Sequence, residues 1–181
     1  MYTTPDPALQ ALLTSAYTAA RADLDEPQEL VVLHIGEEQC GLAVGRAAQP
    51  AALYALPMGA QRTAREHFRS DPPSALAMEN AIAAVEDVVM PLRPLLARDA
   101  VLVSADAELR ELAALAGIAQ PEQLLSLEVM ESLFDRLTQV ILGTPAARMG
   151  LPESRYFAAR LLILREFMHH MQFAGLRLLR V

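Results

Sequence analysis

Apolar positions along the chain change their spacing from segment to segment, and each spacing predicts a different element. In residues 7–24 they recur at helical intervals behind Asp6 and Pro7, a capping side chain and a proline suited to the first helical position. Residues 30–35 form instead a short continuous run, rich in β-branched side chains and closed by Gly36, which is typical of a buried strand. The first two predicted elements are therefore an amphipathic helix and a strand.

The rest of the chain alternates between the same two patterns. Runs at residues 42–44 and 53–56 follow closely, so the first three strands are expected to form an antiparallel meander. Later strands are predicted at residues 100–103 and 124–127, and helices at residues 61–69, 75–96, 108–116, 129–142 and 153–174. With the short helix at 61–69 set aside, the order is β-β-β-α-β-α-β followed by two helices. This order predicts an α/β fold with a mixed sheet, divided into an N-terminal helix (1–28) and one lobe (29–181).

The longest of these helices, at residues 75–96, carries two prolines near its end. Pro91 and Pro94 are expected to bend or end it, because proline lacks the backbone N–H and clashes with the preceding turn. The side chains expected to face the core are Leu76, Ile82, Val85, Val89 and Leu92.

Composition and charge exclude several classes of partner. The 181 residues are 53% hydrophobic, which suits one domain with its own core, and they carry a net charge of -7. This charge repels phosphate backbones and anionic lipids, so neither nucleic acid nor a membrane is expected as a partner. The single cysteine, Cys40, excludes an internal disulfide. Together with an N-terminus that lacks a secretory pattern, it indicates a reducing cytoplasm.

Two stretches resemble a known family. Residues 56–68 read LPMGAQRTAREHF and residues 70–74 read SDPPS. This is similar to the LPLGAxRLTExF…SDPP stretch of the exopolyphosphatase/guanosine pentaphosphate phosphatase (Ppx/GppA) family, and residues 150–155 look like its GLxxxRAD segment. The resemblance implies a ribonuclease H-like, actin-like half domain from about residue 30 onward, corresponding to the second lobe of the family.

The family's phosphate hairpin, DIGGGSTEL, falls on residues 34–42, which here read HIGEEQCGL. The family's aspartate is therefore His34, two of its three glycines are Glu37 and Glu38, and its glutamate is Gly41. Successive unhindered backbone N–H groups cradle a phosphate, whereas two carboxylates at the turn repel it. The first lobe, which the resemblance implies supplies the catalytic carboxylate, is also expected to be absent.

These losses predict a non-catalytic interaction or regulatory module, without a cofactor, that forms a homodimer or binds a partner protein. Such a module should expose an apolar face where the other lobe would pack, covered by the helix at 7–24 or by a second copy. A second interpretation is a phosphohydrolase with a rearranged site, acting on polyphosphate or a nucleotide through His34 or Glu38 and a metal. A third is binding of a small anion by a stripe of three arginines, Arg62, Arg65 and Arg69.

Other groups of polar residues are expected to have structural roles rather than to form sites. A nuclease-like carboxylate cluster would draw on Glu79, Glu86, Asp87 and Asp106. The first-strand position of such a cluster is His34, so these carboxylates are expected to be solvated and no metal site is predicted. Glu166 and His169 have the Glu-x-x-His spacing of helix-bundle metal sites, but a second such motif is lacking, and His170 points about 100° away from His169. Cys40, beside two carboxylates, is expected to be a structural thiol rather than a nucleophile.

Overall fold

Six strands form one mixed sheet at the centre of the computed structural model, which describes residues 2–22, 24, 28–118 and 124–179. In chain order the strands are β1 (Leu30–Ile35), β2 (Cys40–Gly45), β3 (Ala52–Leu56), β4 (Val101–Ser104), β5 (Leu124–Ser126) and β6 (Gly175–Leu178). Across the sheet their order is β3-β2-β1-β4-β6-β5. The predicted antiparallel meander of β1, β2 and β3 is confirmed, and β4 lies parallel to β1.

Seven α-helices surround this sheet within the described residues. They are α1 (Pro7–Ala22), α2 (Ala60–His67), α3 (Ala75–Val89), α4 (Ala107–Leu115), α5 (Leu127–Ile141), α6 (Ala146–Met149) and α7 (Arg155–Met171). The predicted cap of α1 is present, because Asp6 Oδ1 accepts hydrogen bonds from the N–H groups of Ala8 and Leu9, both at 2.9 Å. Gly117 follows α4 in the left-handed region, at a φ of 86°, and ends it as predicted. Across the described ranges, none of these helices has the length and apolar content needed to cross a bilayer.

The helices lie on the sheet as two layers with separate cores. Alternate residues of β1 point to opposite faces, so Val31 and Leu33 enter the main core with α2, α3, α4, α5 and α7. Leu30 and Val32 face the other way and pack against α1, whose Leu13 and Tyr17 are fully buried. Because both faces of β1 are covered, its sequence is a continuous apolar run rather than an alternating one. We refer to the second layer as the α1 core.

Three predictions about the elements need correction. The helix expected at 75–96 ends at Val89 and continues as a 3-10 helix, Met90–Leu95, where the two prolines lie. Leu76, expected inside, is 67% exposed, because the buried face of α3 is set by Met78, Ala81, Val85 and Val89. The last predicted helix ends at Met171, before residue 174.

The strand after that helix, β6, is missing from the sequence-based prediction. It lies between β4 and β5, parallel to the first and antiparallel to the second. The predicted strand at 124–127 therefore exists as β5, but it is the edge strand of the sheet and pairs with β6 rather than with β4.

Candidate functional site at the β1–β2 hairpin

The hairpin between β1 and β2 places two of the sequence-predicted positions opposite each other. His34 and Gly41 are partners in the antiparallel register. By strand alternation His34 shares the face of Leu30 and Val32, the face that α1 covers. A Cβ atom at Gly41 would lie 2.9 Å from a methyl carbon of Leu13, so this position faces α1 as well. The two positions that the resemblance matches to family carboxylates are thus neighbours on the face covered by α1.

Asp106, immediately before α4, holds the imidazole of His34. Its Oδ1 lies 2.7 Å from Nδ1 of His34, and its Oδ2 accepts a hydrogen bond of 2.8 Å from the N–H of Ile35. Burial acts to lower the pKa of His34, but the hydrogen bond to Asp106 and its negative charge outweigh burial and raise the pKa above 6.5. With Nδ1 held in this way, Nε2 is the ring atom left for a proton transfer or a ligand.

The turn of the hairpin packs on the first turn of α2. The carbonyl oxygen of Glu37 accepts hydrogen bonds from the N–H groups of Gln61 at 2.9 Å and Arg62 at 3.0 Å. Gly59 permits this close approach, since a Cβ atom there would lie 2.5 Å from the same carbonyl oxygen. The first N–H groups of a helix are the ones that bind anions. Here three of them are used by the hairpin itself, because the N–H of Ala60 also donates to the carbonyl of Gly36 at 2.9 Å.

The carboxylates of the turn form ion pairs with two arginines. Glu38 makes a two-pronged pair with Arg65, with both N–O distances at 2.8 Å, and Glu37 Oε1 lies 2.9 Å from Arg160 Nη2 of α7. The hydrogen bond from Arg65 is the main cause that lowers the pKa of Glu38. We call these four residues the hairpin clasp, because they join the turn to α2 on one side and to α7 on the other.

Of the three arginines predicted to bind an anion, Arg62 and Arg65 lie on α2 and Arg69 follows it. Each makes a hydrogen bond within the chain. Arg65 belongs to the clasp, Arg62 Nε pairs with Glu66 of the next helical turn at 3.0 Å, and Arg69 donates to the carbonyl of Arg65 at 3.0 Å. Exposed pairs of this kind contribute little to stability. The pairs offset the positive charge of Arg62 and Arg65, whereas Arg69, within the described residues, contacts only a neutral carbonyl oxygen. Anion binding on this stripe stays a prediction.

His34 and Glu38, the two residues of the alternative catalytic interpretation, line one shallow cavity of about 320 Å³. Asp6 and Glu37 line it too, so its wall carries three carboxylates and one imidazole. The carboxylate of Glu38 is engaged by Arg65 and the imidazole by Asp106. The described residues that line this cavity include three carboxylates and no arginine, which is unfavourable for a phosphate compound unless a cation accompanies it.

Cys40 begins β2 and is completely buried. Burial raises the pKa of its thiol, and the charge of Asp106 raises it further. A thiol that stays protonated is a poor nucleophile, in agreement with the structural role predicted from the sequence.

The nuclease-like carboxylate cluster is not brought together in the part of the chain that the structure describes. Glu79 and Asp87 are exposed on α3, whereas Asp106 is engaged by the hairpin. The ligand-type cluster found among the described residues is a different one, formed by Glu86, Glu166 and His170. Sequence reasoning paired Glu166 with His169 instead. The sequence does contain a signal for the correct pair. Glu166 and His170 are four positions apart, and this spacing places them on the same helix face.

Comparisons with solved structures define the class of fold. No protein-family model and no curated protein matches the chain. The Ppx/GppA enzyme of Aquifex aeolicus matches with a TM-score of 0.72 at 17% identity, over 90% of this chain and 57% of that one. The type II crystal structure of the Aquifex aeolicus Ppx/GppA phosphatase gives 0.71 at 16% identity, over 93% and 58%. An exopolyphosphatase from Cytophaga hutchinsonii gives 0.71 at 18% identity, over 96% and 59%.

The chain thus has a ribonuclease H-like, actin-like α/β fold with a six-stranded mixed sheet. More narrowly, it has the fold of Ppx/GppA proteins, as the resemblance of residues 56–74 implies. The chain spans less than two thirds of the length of these structures.

Proposed function

We propose that this protein is a non-catalytic interaction or regulatory module built on the Ppx/GppA fold. The observation that carries the proposal is the hairpin clasp. Glu37 and Glu38 stand where the resemblance places phosphate-binding glycines, and each is paired with an arginine of the surrounding helices. The negative charges of Glu37 and Glu38 are thereby balanced within the chain, without a ligand.

Physical chemistry supports this interpretation at the turn. A phosphate site needs converging N–H groups and an excess of positive charge. In the hairpin, the carbonyl of Glu37 takes up two N–H groups of α2, and the clasp holds equal numbers of carboxylates and guanidinium groups. A phosphate entering this turn would gain no net positive charge and would have to break existing hydrogen bonds.

We expect the purified protein to release no phosphate from polyphosphate, from nucleoside triphosphates or from guanosine pentaphosphate, with Mg²⁺ or Mn²⁺ present. The measurement is a colorimetric phosphate assay at high enzyme concentration, with Glu38→Gln and His34→Gln as matched variants. A metal-dependent release that is lost in either variant would overturn the proposal, because contaminating activity would not respond to them.

That outcome would support a second candidate, a phosphohydrolase with a rearranged site. The observation that favours it is the orientation of His34 by Asp106, since a carboxylate-held imidazole is a common general base or metal ligand. In this case a divalent cation in the acidic cavity would offset its carboxylates. Loss of activity in His34→Gln together with its retention in Glu38→Gln would assign the role to the histidine.

The proposed partner of the module is a second copy of the chain, seated on an apolar groove beside α1. One part of the groove, of about 450 Å³, is lined by Leu12, Ala16 and Leu179, and an adjoining part of about 280 Å³ also contains Leu179. Leu12 is 42% exposed although it stands on the helix that covers the sheet. A two-fold contact at this groove would bury the same apolar side chains twice.

Leu12→Lys is expected to turn a dimer into a monomer, measured by light scattering over a range of concentrations. Leu76→Lys is the matched control, because Leu76 is 67% exposed but lies on α3, in the other layer. We expect this control to remain dimeric. A protein that is monomeric without any substitution, or a dimer that survives Leu12→Lys, would contradict the proposed contact.

A further inference from the structure

A cluster of metal-ligand side chains lies between α3 and α7, apart from the hairpin clasp. His170 Nε2 is 3.1 Å from Oε1 of Glu86 and 3.1 Å from Oε2 of Glu166. All three ligand atoms lie within 4.8 Å of one another. Glu166 and His170 are one helical turn apart on α7, and Glu86 reaches them from the neighbouring helix.

The charge around this cluster is unbalanced. Glu166 is completely buried, and the guanidinium of Arg165 contacts it at 2.6 Å and also contacts Glu131 of α5 at 3.2 Å. The described ion pairs of this neighbourhood thus include three carboxylates and one guanidinium. Arg165 pairs with Glu131 and Glu166, whereas the partner of Glu86 is His170. With neutral imidazoles the neighbourhood carries an excess of two negative charges. Either two protonated histidines or one divalent cation would balance it.

The spacing of the ligand atoms is compatible with a bound cation. Ligand atoms of a tetrahedral site with bonds of about 2.0–2.1 Å lie about 3.3 Å apart, close to the two 3.1 Å separations here. Arg165 holds Oε1 of Glu166, which leaves Oε2 directed at the cluster. Such an outer hydrogen bond is what orients a metal-binding carboxylate.

The cluster is also accessible from solvent. The side chain of Glu86 is 40% exposed and that of His170 is 21% exposed, whereas the side chain of Glu166 is completely buried beneath them. An ion would therefore be held by three protein atoms and would keep a position open for water. This is the coordination pattern of three-ligand sites for zinc and related metals.

We propose that Glu86, Glu166 and His170 bind a divalent first-row transition-metal ion, for which Zn²⁺ is the representative. Nitrogen from one imidazole and oxygen from two carboxylates suit this class of ion. Binding requires Nε2 of His170 to present its lone pair to the ion, as in any metal-bound imidazole. The sequence alone predicted no metal at this helix. The structure changes this expectation because it brings Glu86 to the same place. Glu86 is 80 positions away from Glu166 along the chain.

The test uses the full chain without an affinity tag, freed of metal with a chelator and then titrated with Zn²⁺ by calorimetry. We expect one ion per chain, a rise in melting temperature with Zn²⁺, and a visible absorption band when Co²⁺ is used instead. Glu86→Gln and His170→Gln are each expected to weaken binding by at least about tenfold. Both residues are partly exposed, so both variants should fold, as circular dichroism would verify.

His169→Gln is the matched control. His169 is the neighbouring histidine, but it lies beside Glu131, with its Nδ1 at 3.5 Å, and outside the three-atom cluster. Its substitution should leave the affinity for Zn²⁺ within about twofold. The proposal fails if the unsubstituted chain shows no saturable binding, or if His169→Gln weakens binding as much as His170→Gln. Because the hairpin plays no part in this test, its outcome is independent of the proposed function.

Discussion

Gly41→Glu, which would place a carboxylate where the Ppx/GppA hairpin has one, is expected to destabilise the protein by more than about 4 kcal/mol. A Cβ atom at position 41 would come within 2.9 Å of methyl carbons of both Leu9 and Leu13. The carboxylate beyond it would then have to enter the apolar contact between β2 and α1. Urea unfolding followed by circular dichroism measures the change, and phosphate release is expected to remain absent.

Gly41→Ala measures the effect of the first side-chain carbon alone. The nearest atoms are the flexible ends of Leu9 and Leu13, which can move, so we expect a loss of about 1–3 kcal/mol for the methyl group alone. The rest of the effect of glutamate should come from its longer side chain and its unpaired buried carboxylate. If the two variants were equally stable, α1 would not pack against β2 as described.

Asp106→Ala is expected to cost about 2–3 kcal/mol. The carboxylate is only 6% exposed, and it accepts hydrogen bonds from the N–H of Ile35 and from the ring of His34. Its removal leaves a buried N–H without an acceptor, which costs more than the lost bond itself. The matched control is Asp87→Ala, since Asp87 is an exposed carboxylate on α3 and its loss should leave the unfolding midpoint unchanged.

Asp106 also gives stability a pH dependence of definite sign. The pKa of His34 is raised in the fold above its ordinary 6.5, so the folded state binds the proton more tightly than the unfolded one. The resulting stabilisation is complete below about pH 6.5 and is lost as the pH rises through the folded-state pKa. In Asp106→Asn burial remains but the negative charge is gone, so this loss should disappear. NMR titration of the His34 ring tests the cause, and a pKa at or below 6.5 in the unsubstituted protein would contradict it.

Local patterns were sufficient to predict the elements with strong periodicity. The strand β1 is a continuous apolar run between turn residues, and α1 has a cap and a helical stripe, so both were predicted closely. The strand β6 was missed because it has four residues and follows α7 after a short turn. Its alternation was present in the sequence, with Leu176 and Leu178 buried and Arg177 exposed. Four residues are too few to distinguish a strand from the end of a helix.

The chemistry of the site was predictable in part. Sequence reasoning found the hairpin and its unusual carboxylates, because both are contiguous. It did not find the residues that pair with them, since Arg65 and Arg160 stand 27 and 123 positions from their partners. Glu86 and His170 were separated for the same reason. Side-chain pairs between distant elements depend on how helices pack, and no local spacing encodes that packing.

The position of β6 in the sheet affects when this protein is able to fold. During synthesis the ribosome delivers β1 to β5 before residues 175–178, yet β5 reaches the sheet only through β6. Until β6 emerges, one side of β4 has no strand beside it and β5 has none to pair with, and unpaired strands of this kind invite contacts between chains. The meander and α1 can assemble early. The other half of the sheet cannot form until β6, the last of the six strands in chain order, has been synthesised. Nascent chains stalled before residue 175 are thus expected to aggregate more readily than chains in which the sheet is complete.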